Sequence, residues 1–502
     1  MSRFTSIAAG ILFAAAIDVV AAPEERPNIV FVIVDDLNSS FIRSLGGWFP
    51  SKGIDRLAEE GMIFRRAYST SAMCVPTRYT CITGSYASRS TWFGPKEETG
   101  RILNNCFLEP HTVTVAQALQ QAGYRTGHVG KWHSTADRDL ERLSISEDAD
   151  PRDPEVEEML QENNARLSEV IRSFGYDYVG GLVDGNLDHS YPRAAAIHNM
   201  EYVVKGAFDF LEQDDDRPFF LWVAATLVHS PKIDLKQDDV RITPVGVRED
   251  HLGVMPPRQS ILDRFGGTPN NNQAKMACLD DGVGALLDRL DELKIAENTL
   301  VIFMADQQHN GKGTCYENGA NVSFLARWPR VIQAGSVCDA LVDNTDLAST
   351  WMALAGAEPL PGMVLDGYSL MPLFRGQDMV LRDAVFLEMG YSKAVVTDRY
   401  SYLAVRYPQE LLDSGFVPPR HGTVKEHEQQ GTFDMFLYER NPFGQRRGVG
   451  IVDPDQLYDL KNDPEQQVNL ASNPEYGPQF EVMKKLLRDK VKQSDRPFGE
   501  FD

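Results

Sequence analysis

The stretch Asn28-Ile29-Val30-Phe31-Val32-Ile33-Val34-Asp35-Asp36 is the part of this 502-residue chain that best defines the fold class. The run from Asn28 to Val34 is apolar and rich in β-branched residues, and its length suits a strand that is buried on both faces. Similar runs occupy residues 218–225 and 299–305. These three runs predict buried strands of a parallel or mixed sheet.

Helical patterns lie between the predicted strands. Residues 113–122 are amphipathic and stop at Gly123, a residue that suits the position just past a helix end. Five leucines and Val283, spaced mostly three and four residues apart, mark one face of a longer helix near residues 273–293. The alternation of strands and helices predicts a large, doubly wound α/β domain.

The pattern changes after about residue 378. Short strand-like runs occupy residues 384–389, 393–398 and 400–406, and a helical stretch covers residues 481–492. We therefore predict a large α/β domain at residues 23–377 and a smaller C-terminal subdomain at residues 378–502, which contains a short antiparallel sheet.

The N-terminus has the pattern of a signal peptide at residues 1–22. Arg3 supplies the positive charge, and the apolar run at residues 7–17 is too short to span a bilayer, which makes a membrane anchor the weaker alternative. Val20-Ala21-Ala22 resembles a cleavage site. No later stretch of the sequence is apolar enough to cross a membrane. This pattern predicts a secreted or periplasmic protein.

Composition and charge limit the possible partners. The hydrophobic fraction of 42% and the charged fraction of 24% are typical of a globular protein. A formal net charge of −22 argues against nucleic acid as a partner. It would also repel an anionic polymer at long range, so an anionic substrate needs a local cationic pocket.

Polar residues follow the predicted strands directly. Asp35 and Asp36 follow the first strand, and Asp306 and Gln307 follow the third. Ligands of open α/β sheets bind outside the carboxyl ends of the strands. Carboxylate and amide oxygens suit Ca²⁺ or Mg²⁺ better than zinc. A helix cap or solvated turn would explain Asp35 and Asp36 alone, but the second pair favours a metal site.

A cysteine motif carries a second candidate site. Cys74-Val75-Pro76-Thr77-Arg78 is followed by Thr83-Gly84. From its residue type alone, Cys74 is either a small buried thiol or a nucleophile that needs a base.

This motif resembles the signature of type I sulfatases, a family of the alkaline phosphatase superfamily. Three other stretches resemble further signatures of that family in the same order. They are Gly123-Tyr124-Arg125-Thr126-Gly127-His128-Val129-Gly130-Lys131-Trp132-His133, then Gly311-Lys312-Gly313-Thr314-Cys315-Tyr316-Glu317, and finally Leu457-Tyr458-Asp459-Leu460 with Asp463-Pro464-Glu465. The opening strand with its two aspartates also fits, so the resemblance extends through nearly the whole mature chain.

The resemblance implies an alkaline phosphatase-like fold and the hydrolysis of a sulfate ester, with a sulfated carbohydrate as the expected substrate. It implies that a formylglycine-generating enzyme oxidises Cys74 to formylglycine (3-oxoalanine), whose hydrate is a geminal diol with the nucleophilic hydroxyl. It also implies one Ca²⁺ ion, with Mg²⁺ as an alternative. The implied ligands are Asp35, Asp36, Asp306, Gln307 and the formylglycine at position 74.

The resemblance also assigns roles to charged residues. Arg78 steadies the formylglycine, and Lys131 and Lys312 contact the sulfate group. His229 protonates the leaving alcohol, and His133 takes a proton from the diol as sulfate is eliminated. Imidazole suits proton transfer near neutral pH, although a single His is more often a packing or surface residue.

The chain departs from the family pattern at three positions. Gln307 stands where the family usually has Asn, Thr77 where it has Ser, and Val228 where it has Pro. Gln keeps the amide oxygen and Thr keeps the hydroxyl.

Further polar residues are candidates for sugar recognition, although a surface loop is the simpler interpretation of each. They are Asp184, His189, Tyr191 and Arg193 on one polar stretch, His421 and His427 on another, and His309 close to Asp306.

Two alternative functions stay open at this point. One is a phosphomonoester or phosphonate monoester hydrolase of the same superfamily. The other is a non-catalytic glycan-binding protein that retains the fold.

Overall fold

The structure is a computed structural model that describes residues 25–92, 101–136, 140–413, 453–494, 496 and 498–501. The predicted signal peptide at residues 1–22 lies outside these ranges, as do His421 and His427. In the described ranges, no helix is both long enough and apolar enough to cross a membrane.

The strands and helices alternate along the first part of the chain, as the sequence predicts. The strands are β1 (Asn28–Val34), β2 (Met62–Phe64), β3 (Ala67–Tyr68), β4 (Arg125–Trp132), β5 (Tyr178–Asp184), β6 (Phe219–Ala224), β7 (Ile242–Thr243), β8 (Gly246–Val247), β9 (Thr299–Ala305), β10 (Phe324–Arg327), β11 (Ser336–Cys338), β12 (Val342–Asp343), β13 (Val385–Met389), β14 (Ser392–Val396), β15 (Tyr400–Val405) and β16 (Asp455–Asp459).

The helices are α1 (Gly53–Glu59), α2 (Cys74–Thr83), α3 (Val115–Gln121), α4 (Pro154–Ser173), α5 (Leu187–Ser190), α6 (Met200–Leu211), α7 (Arg258–Phe265), α8 (Asn271–Glu292), α9 (Glu317–Ala320), α10 (Thr345–Ala355), α11 (Met371–Phe374), α12 (Gln409–Asp413) and α13 (Gly477–Val491). Helix α8 begins where Asn270 and Gln273 form a reciprocal capping box, each side chain accepting from the other's backbone N–H.

The large sheet has eight strands in the order β11-β2-β10-β9-β1-β6-β4-β5. Strand β1 lies at its centre and pairs in parallel with β9 on one side and β6 on the other. Strand β10 runs antiparallel to both of its neighbours, so the sheet is mixed. The three predicted buried strands are therefore adjacent, and β1, β6 and β9 are buried nearly throughout.

Helices cover both faces of this sheet. Successive side chains of a strand point to opposite faces, so Leu221 and Trp222 mark the two faces of β6. Phe210 of α6 lies on the Leu221 side, where a Cβ atom on Gly127 would lie 2.7 Å from its ring. Trp351 of α10 packs against Trp222 on the other side, with ring centroids 6.4 Å apart. The predicted doubly wound α/β domain is confirmed.

The C-terminal part contains the predicted small antiparallel sheet. Strands β13, β14, β15 and β16 pair in that order, each antiparallel to the next. Helix α13 packs against β14 and β15. The sequence predicted the first three strands and the helix but not β16, which follows a long connection. The boundary between residues 377 and 378 stays a prediction.

Candidate active site

Aspartates from two neighbouring strands meet at one edge of the large sheet. Val34 pairs with Ala305 at the last position of β1 and β9, so the residues that follow both strands start side by side. The backbone N–H of Asp36 donates to Asp306 Oδ1 at 3.1 Å. Asp35, Asp36 and Asp306 are all buried. The carboxyl ends of parallel strands thus deliver three carboxylates to one place.

Cys74 lies against these carboxylates. It is the first residue of α2, and its side chain is buried. Its sulfur lies 3.4 Å from Asp35 Oδ1. The sulfur and one carboxylate oxygen from each of Asp35, Asp36 and Asp306 all lie within 4.8 Å of one another. The two candidate sites of the sequence are therefore a single cluster.

Two lysines reach the same cluster from different strand ends. Lys312 Nζ lies 2.8 Å from Asp36 Oδ1 and 3.3 Å from the Cys74 sulfur. Lys131, near the end of β4, donates to a carboxylate oxygen of Asp35. Both lysines are buried. Two buried cationic groups are thus fixed by carboxylates at the cluster that contains Cys74, as an anion-binding pocket requires.

Arg78 completes the cationic set from α2, one turn after Cys74. Its Nη2 atom lies 3.2 Å from Asp306 Oδ2 and 3.6 Å from Asp35 Oδ2. Its Nη1 atom donates to the backbone oxygen of Lys131 at 3.4 Å. The buried Arg78 guanidinium thereby ties α2 to the ends of three strands.

Burial and charge separate the pKa values of the carboxylates. Burial alone would raise the pKa of Asp35, but Lys131 and His229 hold it well below its usual value. Burial and the neighbouring Asp35 together raise the pKa of Asp306 to about 7. Burial, followed by Asp35, also raises the pKa of the Cys74 thiol to about 12, so this thiol is protonated at neutral pH. The neighbouring cations therefore compensate the negative charge of Asp35 but not that of Asp306.

The residues present fit a hard divalent cation. The Gln307 amide nitrogen donates to Asp36 and to the Cys74 sulfur. Its amide oxygen is buried and has no hydrogen-bond partner among the described residues. A buried, unpartnered polar atom costs free energy, which an ion bound to that oxygen and to the carboxylates would offset. The longer side chain of Gln307 still reaches the cluster.

His229 lies on the loop that follows β6, next to the acidic cluster. Its Nε2 atom is 3.6 Å from Asp36 Oδ2. Its backbone oxygen accepts hydrogen bonds from the Lys275 ammonium and from His198 Nε2, the latter at 3.0 Å. Burial lowers the pKa of His229, and Asp35 opposes that shift. The backbone that carries the His229 ring is therefore held in place by Lys275 and His198.

His133 follows β4 and is half-buried. Its Nδ1 atom has no hydrogen-bond partner in the described part of the chain. Burial and then the Lys131 charge hold the pKa of His133 well below its usual value. A neutral imidazole at this place can accept a proton.

Thr77 secures the helix that carries Cys74. Its buried hydroxyl lies 2.7 Å from the backbone oxygen of Ser71 and 2.8 Å from that of Asp306. The Asn344 amide donates to the Thr77 backbone oxygen at 3.3 Å. The Thr77 hydroxyl, which a Ser at this position would also supply, therefore joins the start of α2 to the end of β9.

Most of the candidates for sugar recognition have structural partners. Asp184 pairs with Arg142 at 2.6 Å, and its backbone N–H donates to the Tyr191 hydroxyl at 2.8 Å. Arg193 pairs with Glu147 at 2.7 Å on the surface.

Besides Arg193, two of these candidates are open to solvent. His189 is exposed on α5. His309 differs from the others because its half-exposed ring reaches the cluster, with Nδ1 3.4 Å from Asp36 Oδ2. Of this set, His309 is thus placed to line the site.

The sequence interpretation missed residues that hold the candidate catalytic groups. Asn186 Oδ1 accepts a hydrogen bond from Lys131 Nζ at 2.6 Å. Lys275 of α8 donates to the His229 backbone oxygen, and Asp188 of α5 accepts from the hydroxyl of the neighbouring Ser230. Asn186 and Asp188 follow β5, a strand that the Gly180-Gly181 pair obscures in the sequence. The position of these two polar residues just past a strand end was the sequence signal that could have identified them.

Comparisons with known proteins agree with this geometry. The family model described as Sulfatase matches residues 27–357, and a model described as N-sulphoglucosamine sulphohydrolase, C-terminal, matches residues 307–408. The first match covers more than half of the chain. The chain therefore belongs to the sulfatase family, the type I sulfatases of the alkaline phosphatase superfamily. It is an enzyme that hydrolyses sulfate esters.

Several relatives align over most of the chain. It is 26% identical to the ulvan-active sulfatase of Formosa agariphila over 93% of this chain and 80% of that protein. It is 27% identical to human arylsulfatase A over 88% of this chain and 83% of that protein. It is 26% identical to the N-acetylgalactosamine-6-sulfatase of Canis lupus familiaris over 78% of this chain and 74% of that protein.

Solved structures share the fold. A protein solved with its substrate D-glucosamine-2-N,6-O-disulfate superposes with a TM-score of 0.61 at 17% identity, over 94% of this chain and 99% of that one. A protein from work on glycosaminoglycan metabolism by Bacteroides thetaiotaomicron superposes with a TM-score of 0.63 at 18% identity, over 94% and 97% of the two chains. The alkaline phosphatase-like α/β architecture with a smaller C-terminal sheet is thereby confirmed.

Proposed function

We propose that this sulfatase works through a formylglycine at position 74 and removes sulfate from a sulfated carbohydrate. The observation that carries the proposal is the position of Cys74, whose sulfur lies 3.3 Å from Lys312 Nζ and within 4.8 Å of oxygens from three buried aspartates. When Cys74 is oxidised to formylglycine, the hydrated aldehyde supplies a geminal diol as the nucleophile. That chemistry needs surrounding cations and carboxylates of this kind.

The carboxylates would hold one Ca²⁺ ion, with Mg²⁺ as the alternative. Asp35, Asp36 and Asp306 provide the charge, and Gln307 provides the amide oxygen that lacks a partner among the described residues. When bound, the ion supplies positive charge that polarises the sulfate ester. The ion would offset the carboxylate charge that the neighbouring cations leave uncompensated at Asp306, whose pKa burial and Asp35 raise to about 7.

The remaining charged residues bind and orient the substrate. Lys131 and Lys312 bind sulfate oxygens, because both are fixed by carboxylates beside Cys74. Arg78 holds Asp306 and the start of α2 in place. This cationic pocket offers local attraction to an anionic substrate in a chain with net charge −22.

Two histidines move protons. His229 donates a proton to the leaving alcohol, since its Nε2 atom faces Asp36 at the reaction centre. His133 accepts a proton as sulfate is released, because its unshared Nδ1 atom and lowered pKa favour the neutral ring. Sugars are poor leaving groups, so the proton from His229 matters most for them.

The carbohydrate substrate is supported by what the relatives are named for. They include a sulfatase active on ulvan and one that acts on N-acetylgalactosamine 6-sulfate. A related fold was solved with a sulfated glucosamine as its substrate. Sulfate release from a panel of sulfated mono- and oligosaccharides tests this part of the proposal, and turnover of aryl sulfates alone would contradict it.

Export fits the same proposal. The signal-like segment at residues 1–22 supports a secreted or periplasmic protein that meets the formylglycine-generating enzyme during its maturation. N-terminal sequencing of the mature protein from its host should begin near Pro23. Recovery of the uncleaved N-terminus from the cytoplasm would contradict export.

The decisive experiment is peptide mass spectrometry of protein made together with a formylglycine-generating enzyme. Trypsin releases residues 67–78 with Cys74 and residues 79–89 with Cys81. The hydrated aldehyde and the thiol have nearly the same mass, so the protein should be unfolded in urea and treated with iodoacetamide, which labels only the thiol, before digestion. We expect labelled Cys81 as the internal control and an unlabelled, aldehyde-bearing position 74.

A labelled Cys74 under these conditions would overturn the formylglycine proposal. A second test compares the kcat/KM of the same preparation on an aryl sulfate and on the matching aryl phosphate. A higher kcat/KM for the sulfate is expected, because the pocket compensates a singly charged ester. A preference for the phosphate would contradict the assigned roles of Lys131 and Lys312.

A further inference from the structure

A short chain of hydrogen bonds leads away from the His229 ring on the side opposite the reaction centre. His229 Nδ1 lies 3.0 Å from Ser230 Oγ. The Ser230 hydroxyl in turn lies 2.8 Å from Asp188 Oδ2. Asp188 belongs to α5, which directly follows the end of β5. Two polar side chains outside the assigned set therefore reach one candidate catalytic histidine.

The direction of these hydrogen bonds is determined by the groups themselves. An ionised carboxylate only accepts hydrogen bonds, so the single hydroxyl hydrogen of Ser230 points to Asp188. The Ser230 oxygen must then accept from His229 Nδ1. A second acceptor, the Ser230 backbone oxygen, lies 3.3 Å from the same nitrogen. Nδ1 therefore carries a hydrogen, whatever the state of Nε2.

We propose that Asp188 and Ser230 are positioning residues that hold the His229 ring with hydrogen on Nδ1 and with Nε2 turned toward the reaction centre. This inference rests on the proposed role of His229 as the general acid. In the protonated ring both nitrogens carry hydrogen. When the bond between sulfur and the leaving oxygen breaks, the Nε2 proton passes to that oxygen. The ring is left neutral with its hydrogen on Nδ1, and the contact with Ser230 is unchanged.

The backbone of this loop is held by other groups. The Lys275 ammonium donates to the backbone oxygens of Val228, at 3.1 Å, and His229. His198 Nε2 lies 3.0 Å from the backbone oxygens of both His229 and Pro231. Loss of Asp188 or of the Ser230 hydroxyl should thus free the ring without releasing the loop.

A leaving-group series provides the test, with substituted phenyl sulfates that differ in the pKa of the phenol as the probes. The variants are Ser230→Ala and Asp188→Ala, and His229→Ala is the reference. General acid catalysis helps poor leaving groups most, so its loss steepens the plot of log kcat/KM against the phenol pKa. We expect both variants to lose roughly five- to tenfold on the poorest leaving group and little on the best.

Matched variants separate positioning from simple structural damage. Ser230→Thr keeps the hydroxyl and should restore the wild-type slope. Asp263→Ala removes an equal charge from an exposed residue that bonds only Gln259 among the side chains described, and its slope should not change. Thermal unfolding of each variant should remain close to that of the wild type.

The possible outcomes separate a failure of the positioning inference from a failure of the proposed general-acid role on which it rests. If His229→Ala does not steepen the plot, the proposed general-acid role fails. If His229→Ala steepens it while Ser230→Ala and Asp188→Ala lose activity equally across the series, the positioning inference is overturned. Failure of Ser230→Thr to restore the slope would also overturn it.

Discussion

The ammonium nitrogen of Lys312 lies 3.3 Å from the sulfur of Cys74, although 238 residues separate the two in the chain. Cys74 begins a helix, and Lys312 follows a strand on the loop after β9. The buried amine also pairs with Asp36 at 2.8 Å. Burial alone would lower the pKa of Lys312, but Cys74 and Asp36 raise it above its ordinary value. Lys312 is therefore a permanent cation beside the proposed nucleophile.

Cys74→Ala should abolish turnover and leave the fold intact. Removal of a nucleophile typically costs roughly 10⁴-fold or more in kcat, whereas replacing a small buried thiol by a methyl group costs about 1 kcal/mol of unfolding free energy. Sulfate release and urea unfolding measure the two effects. Cys81→Ala is the matched control, because Cys81 is a buried thiol on the same helix. An active Cys74→Ala protein would refute the mechanism.

Ca²⁺ should stabilise the protein against unfolding. A ligand at 100 times its Kd adds about 2.7 kcal/mol to the unfolding free energy, and here the ion would also relieve repulsion among the buried carboxylates. Urea unfolding with Ca²⁺ or with excess chelator measures this increment. In the Asp306→Asn variant, the increase in unfolding free energy caused by Ca²⁺ should largely disappear. This increase, and not the absolute stability, is compared with that of the wild type. An equal increment in both proteins would place the ion elsewhere.

Asn186→Ala should lower kcat/KM on aryl sulfates by about tenfold, because Lys131 loses a charged hydrogen bond of 2.6 Å that fixes its position. Asn186→Asp should lower it by roughly 10²-fold, because a new carboxylate competes with the sulfate for Lys131. Steady-state kinetics at two salt concentrations provides the measurement. Asn462→Ala, on the exposed surface of the C-terminal part, is the control. Unchanged kinetics for both Asn186 variants would contradict a role for this contact.

Arg382→Met should destabilise the protein by about 3–5 kcal/mol, because it leaves buried carboxylates without their partner. Arg382 pairs with Asp343 at 2.7 Å and with Asp346 at 2.9 Å, and all three side chains are buried. Urea unfolding measures the change. Arg217→Met is the control, since Arg217 is 52% exposed in its pair with Asp215 and should cost well under about 1 kcal/mol. Similar losses in both variants would show that burial is not the cause.

Strands that are marked by a short run of apolar residues were predicted well from the sequence. The apolar run at residues 299–305 coincides with β9, and the run at 218–225 contains β6 within one residue at each end. A strand buried on both faces needs apolar side chains throughout, so it is visible in a short window. Strand β5 was missed because Gly180-Gly181 interrupts its apolar run, and β16 because only Leu457 and Tyr458 are apolar in its sequence Asp455–Asp459.

The site could be predicted in part for a related reason. Asp35, Asp36 and Asp306 directly follow strands, and parallel neighbours end at one edge, so their meeting follows from the strand assignment. Cys74 and the lysines came from motifs resembling a family, and the structure brings them within contact distance of the aspartates. Their catalytic roles stay predictions until the variants are measured.

The sequence by itself determined the fold class, the family and the residue types that the chemistry needs, because hydrophobic periodicity and short motifs are properties of neighbouring residues. Only the tertiary structure decided which side chains hold those residues in place. Asn186 at Lys131 and Asp188 at Ser230 meet across 55 and 42 residues of chain. Such contacts depend on how loops pack at the sheet edge, where hydrogen bonds of a few ångströms are set by the path of the whole chain.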